Sequence, residues 1–144
     1  MDVERGGDVT YHGLGQLVVY PIRRLERFRE VVPLVRALER AVIATCARFG
    51  VEAHAWSEHA GVWVGANQIC AVGLAVQRMV SLHGIALNVN TKLDYDRLIS
   101  PCGLPDRGIT SLSKECARTI EMDEAKAALL EELARTFGVT WQST

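Results

Sequence analysis

A chain of 144 residues with 49% hydrophobic side chains fits one globular domain, since a chain of this size buries roughly 70% of the surface its unfolded form exposes. Its 16 basic and 17 acidic side chains leave a net charge of -1, with no block of like charge to engage nucleic acid or an anionic membrane. No apolar run approaches the ~20 residues that span a bilayer, so a soluble, cytoplasmic protein is expected, or a mitochondrial or plastid one in a eukaryote.

The chain opens on Arg5-Gly6-Gly7-Asp8-Val9-Thr10-Tyr11-His12-Gly13-Leu14-Gly15. Glycines allow positive φ and close approach of backbone to a ligand, while Tyr11 and His12 supply an aromatic wall and a titratable donor. A ligand loop and a set of tight turns both fit this composition. A dinucleotide fingerprint does not, because Val18 stands where a third glycine is needed, and no Gly-Lys-Ser/Thr marks a P-loop. Such a loop ordinarily rests on a scaffold, so residues 1–144 are read as one domain whose N-terminal segment is missing.

After Tyr20 and Pro21, a helix is predicted with Pro33 in its first turn, Leu34, Leu38, Val42, Cys46 and Phe49 on one stripe, and Gly50 at its end. Strands follow at Val51 to Trp56, Val62 to Val64, Ile69 to Val76 and Met79 to Asn90, with a turn at Gly65-Ala66-Asn67. A second helix runs from Asp123, taken as its N-cap, through Leu129, Leu130, Leu133 and Phe137 to Gly138. Grouped strands with helices before and after predict an α+β domain, helices lying on one face of a largely antiparallel sheet.

Four cysteines, at 46, 70, 102 and 116, are too widely spaced for a Cys-x-x-Cys pair, and no nearby histidine pair accompanies them. Neither a metal site nor a disulfide framework is expected. Each thiol is then a small core hydrophobe or a nucleophile, and Cys46 belongs to the helical stripe. Cys102 differs because Ser100-Pro101-Cys102-Gly103-Leu104-Pro105 reads as an irregular loop, in which exposed amides beside a thiol suit acyl transfer. An inert loop cysteine fits the same residues. The strand His83-Gly84-Ile85-Ala86-Leu87-Asn88-Val89-Asn90 carries a glycine that invites a bulge or a close ligand contact, and His83 is a base, a donor or a half-buried structural histidine. No role is assigned to His54 or His59.

Taken together, the stretch from Arg5 to Leu17, Gly61-Val62-Trp63-Val64, His83-Gly84-x-Ala86-Leu87-Asn88-Val89 and Pro101-Cys102-Gly103 resemble the lipoyl(octanoyl) transferase family in order and spacing. The resemblance implies a biotin/lipoate protein ligase-like α+β fold with a mostly antiparallel or mixed sheet flanked by helices. It implies a two-step reaction without cofactor or metal, in which Cys102 takes octanoate from octanoyl acyl carrier protein as a thioester. The acyl group then passes to a lysine on lipoyl domains of 2-oxoacid dehydrogenases or on the glycine cleavage H protein.

The implied substrate pocket is lined by Arg5, Gly6, Gly7, Asp8, Val9, Thr10, Tyr11 and His12, by Ala71, Val72 and Gly73, and by His83, Gly84, Ile85 and Ala86. Where the family carries a lysine that lowers the nucleophile's pKa, this chain has Gln68, in Gln68-Ile69-Cys70-Ala71-Val72-Gly73. An amide donates hydrogen bonds without carrying charge. An alternative reading is therefore a catalytically weakened acyl-binding homologue. An ATP-dependent lipoate ligase is disfavoured by the Pro-Cys-Gly loop.

Overall fold

The computed structural model describes residues 15–91 and 108–140. In chain order these residues form β1 (Gln16–Val19), a 3-10 turn (Phe28–Glu30), α1 (Val31–Arg48), β2 (His54–Trp56), β3 (His59–Val64), β4 (Asn67–Gln77), β5 (Val80–Asn88), α2 (Leu112–Cys116) and α3 (Met122–Phe137). The strands make one sheet in the order β1-β5-β4-β3-β2, antiparallel at each of the four ladders. The α+β expectation and the β2-to-β5 meander hold.

Helix α1 forms where the sequence period predicts it. Leu34, Leu38, Val42 and Cys46 recur every four residues and are buried together, Pro33 lies in the first turn where its missing N–H costs nothing, and Gly50 follows the end at φ +76°. Helix α3 starts two residues earlier than expected, capped by Glu121 rather than Asp123. Asp123 and Glu124 then lie in the first turn, where they oppose the positive end of the helix dipole. Gly138, at φ +64°, closes it. Leu129 and Leu133 of α3 join the α1 stripe in a core with Leu17, Val62, Cys70, Ile85 and Leu87 of the sheet.

Two elements carry little sequence signal. Strand β1 spans four residues, and α2 spans five and ends on Ala117 in the left-handed region, where a glycine would have advertised the stop. The first predicted strand is shorter than expected, since pairing begins at His54. The β4–β5 hairpin is the longest ladder and turns on Arg78 and Met79, both at positive φ, the geometry that matches the right-handed twist of paired strands.

Candidate active site

Gln68 faces the way it does because of a bulge. Between the pairs Val62↔Cys70 and Trp63↔Gln68 the register shifts, leaving Ile69 as an extra residue on β4. A regular strand alternates its faces, yet Ile69 and Cys70 are consecutive and both belong to the helix-side core. A bulge explains this, and it returns Gln68 to the opposite face. There its amide lies over Gly61: a Cβ added at Gly61 would stand 2.7 Å from Gln68 Nε2 and 2.9 Å from the end of the Trp63 ring.

Gly61 is held in turn. Its N–H donates to Glu39 Oε2 of α1 at 2.8 Å, and Glu39 Oε1 accepts from the Arg36 guanidinium at 2.6 Å. Glu39 is 1% exposed. It shares the side of α1 that carries Val42 and Cys46, at spacings of three and seven, so a charged residue on a core stripe was the signal available in the sequence.

The backbone of Gln68 is paired with the segment that follows Cys102 in sequence. Its N–H donates to Gly108 O at 3.0 Å and its carbonyl accepts from Thr110 N at 2.9 Å, a parallel bridge centred on Ile109. This segment takes the place beside β4 that β5 leaves once the β4–β5 ladder stops at Cys70↔Leu87. Asn88, the last residue of β5, spans the junction: Nδ2 donates to Thr110 O at 3.1 Å and Oδ1 accepts from Gln16 Nε2 at 2.9 Å. Thr91 Oγ1 donates to Gly15 O at 3.0 Å, tying the end of the glycine-rich stretch to the same corner.

Beyond Gln68, the middle of β4 and β5 presents small residues on the face opposite the helices. Ala71↔Ala86 and Gly73↔Gly84 are cross-strand pairs there, while Val72↔Ile85, the pair between them, points into the core. Space at the two glycines differs. Among the described residues a Cβ at Gly73 meets nothing within 4 Å, whereas one at Gly84 would strike Val19 O at 2.2 Å and the Pro21 ring at 2.4 Å. At Gly84 it is the chain's own Val19 and Pro21 that make a close approach.

His83, at φ +67°, packs edge-on against Tyr20 with ring centroids 6.1 Å apart. Its cross-strand partner is Leu74, six residues along β4 from Gln68, so a strand rise of ~3.3 Å separates the two positions by about 20 Å. His83 and Gln68 cannot act on one atom.

Burial disfavours the thiolate at each described thiol. Burial pushes Cys46 up to about 12 and Cys70 well above its ordinary value, and in both cases a neighbouring cysteine adds to the effect. Burial also raises Cys116, whose thiol donates to Phe49 O at 3.4 Å. Cys102 and the stretch from Arg5 to His12 lie outside the described residues. Among the described residues no group of three or more His, Cys, Asp or Glu side chains is arranged to hold a metal ion, and no helix is long and apolar enough to cross a membrane.

The antiparallel sheet with helices packed on it has counterparts among solved structures. A putative lipoate protein ligase from Thermoplasma acidophilum with bound lipoic acid superposes with a TM-score of 0.80 at 19% identity, over 98% of this chain and 59% of that one. The biotin protein ligase of Aquifex aeolicus superposes at 0.71 with 16% identity, over 86% and 53%. The fold is therefore that of lipoate and biotin protein ligases. The family model for the lipoyl protein ligase A/B catalytic domain matches residues 1–134, and the chain belongs to that family.

Curated relatives include an octanoyltransferase of Bacteroides thetaiotaomicron, 48% identical over 139 residues, covering 92% of this chain and 61% of the relative. A mitochondrial octanoyl-[acyl-carrier-protein]:protein N-octanoyltransferase of Danio rerio is 47% identical over 137 residues, covering 94% and 61%. The chain spans about three fifths of the length of these relatives.

Proposed function

We propose that the protein moves an octanoyl, or closely related lipoyl, group from acyl carrier protein through a thioester on Cys102 to a lysine of a lipoyl domain. The observation that carries this reading is the position of Gln68. It lies at the end of the small-residue slot, and its backbone is paired with residues 108–110, which begin six residues after Cys102. An acyl chain needs an apolar, narrow bed, and Ala71, Gly73 and Ala86 offer one on the same face as the Gln68 amide.

The thiols elsewhere support the choice of Cys102, because a thiolate is the attacking species and burial disfavours it at Cys46 and Cys70. In the first step the Cys102 sulfur forms the C–S bond to the acyl carbon while the carrier's thiol leaves with a proton. In the second, the lysine nitrogen forms the C–N bond, the C–S bond breaks, and the proton lost from nitrogen passes to sulfur. The acyl carbonyl develops negative charge in both steps, and the Gln68 amide is a neutral donor on the same sheet face.

The relatives named above are called octanoyltransferases, which supports the choice of acyl group and donor. Mass spectrometry after incubation with octanoyl acyl carrier protein tests the thioester. The expected result is one added octanoyl group, on the peptide containing Cys102. An adduct on Cys70 or Cys116 counts decisively against the assignment.

A second reading is favoured by the uncharged side chain at position 68: an acyl-binding homologue that holds the acyl group and transfers it slowly. The same incubation separates the two, since slow transfer leaves a stable Cys102 adduct that a lipoyl domain does not discharge.

A further inference from the structure

We propose that Asn88 is a positioning residue for this site, the side chain that holds Gln68 and the segment leading away from Cys102 in one arrangement. The inference rests on the transferase reading and adds a residue to it. Asn88 is 7% exposed, and its amide orientation is fixed from both sides. Its nitrogen must face Thr110 O, an acceptor, and its oxygen must face Gln16 Nε2, a donor. Thr110 in turn donates its N–H to Gln68 O, so β1, β5, the 108–110 segment and β4 form one hydrogen-bonded chain across the end of the sheet.

This corner is where the β4–β5 ladder has ended, so the usual main-chain bonds between those strands no longer align Gln68 with β5. Asn88 supplies the missing link with a side chain. Gln16 Oε1 is buried without a hydrogen-bond partner among the described residues, as expected if Asn88 dictates which end of the Gln16 amide faces it. No apolar residue, and no residue with donors alone, meets both neighbours.

Asn88→Asp is the discriminating change because it keeps shape while replacing the amide donor with a titratable acceptor. A carboxylate would face the Thr110 carbonyl, two acceptors opposed in a buried place. A protonated carboxyl restores the donor. The groups around it are Gln16, Thr91 and Thr110, all neutral, with Glu115 of α2 one bond further on, at the Thr110 hydroxyl. Burial and the opposed carbonyl both raise the pKa of the introduced acid, so its defect is relieved as pH falls.

The expected result is a fall in kcat for octanoyl transfer of about tenfold to a hundredfold at pH near ~8, the scale of a misplaced reacting group, with KM little changed and activity regained towards pH ~6. Val42→Ala, a core truncation on α1, should lower the urea midpoint and leave the pH profile as it is. Amide hydrogen exchange supplies a readout that needs no activity: in Asn88→Asp at the higher pH, the Gln68 and Thr110 amides should exchange faster while those of α1 stay protected. Asn88→Ser, which removes the bridge without adding charge, replaces the acid if that variant does not fold, and should show the same selective exchange without the pH rescue. A variant with parental kcat at the higher pH, or with Gln68 and Thr110 as protected as in the parent, overturns the proposal. If the parent itself transfers nothing, the transferase reading falls alone, and the exchange experiment still decides on Asn88.

Discussion

An amide at position 68 donates a hydrogen bond but neither stabilises a thiolate as an ammonium does nor exchanges a proton during turnover. At neutral pH a thiol of ordinary pKa is about 3% ionised against roughly half when its pKa is ~7, yet most of that advantage is offset by the weaker nucleophile. Proton handling matters more, at roughly a hundredfold or above in rate. Gln68→Lys should therefore raise octanoyl transfer at least about tenfold, with the Cys102 alkylation profile moving to lower pH. A parent already at full rate, which the substitution does not improve, would show that nothing was lost at this position. His83→Ala should leave the pH dependence of kcat unchanged, since about 20 Å of strand separates it from Gln68. At the same scale, Cys46 makes stability fall at high pH. Its folded value of about 12 lies above the ordinary thiol range, so the contribution is complete below pH ~9 and is lost as pH rises towards 12. Urea titrations at several alkaline pH values should show that slope, and Cys46→Ala should reduce it without abolishing it, since buried Cys70 contributes in the same direction.

The bulge on β4 and the buried carboxylate of α1 act as one element-scale device. Glu39 holds the Gly61 N–H, and Gly61 leaves room for the Gln68 amide, so helix packing reaches the site through two residues. Glu39→Ala should cost about 2–4 kcal/mol, because it leaves the buried Gly61 N–H without its acceptor and takes the carboxylate from the Arg36 guanidinium, which keeps only the Trp56 and Ser57 carbonyls, and Glu39→Gln should cost about half as much. Gly61→Ala should cost about 1–3 kcal/mol by urea denaturation, through both its backbone at φ +140° and the crowding of Gln68. Helices α1 and α3 and the β2-to-β5 meander were legible because their periods are long and their ends are marked by Gly50, Gly65 and Gly138. Strand β1 and α2 were not, being too short to show a period. Ala71, Gly73 and Ala86 were named from the sequence by resemblance alone. Their grouping on one face with Gln68 depends on a single extra residue, Ile69, and a bulge of that kind has no composition of its own. Asn88 was quoted in a motif without a role, because its partners Gln16 and Thr110 are 72 and 22 residues away.

At the scale of the molecule, the sheet separates two environments, an apolar core under the helices and a face that carries Ala71, Gly73 and Ala86 with the polar corner at Asn88. Cys46 on α1 and Cys70 on β4 sit on opposite walls of the same core, both wholly buried, whereas Cys116 on α2 is partly accessible. If that core opens as one unit, no small fluctuation exposes either buried thiol alone. Labelling with an alkylating agent under native conditions should then modify Cys46 and Cys70 at one shared slow rate, and that rate should rise with urea along the slope of global unfolding. Cys116 should react faster and with a weaker urea dependence. Separate rates for Cys46 and Cys70 would divide the helices from the sheet as independent units. In that case Glu39→Ala should accelerate Cys46 more than Cys70, because Glu39 is the α1 side chain bonded directly to the backbone of β3.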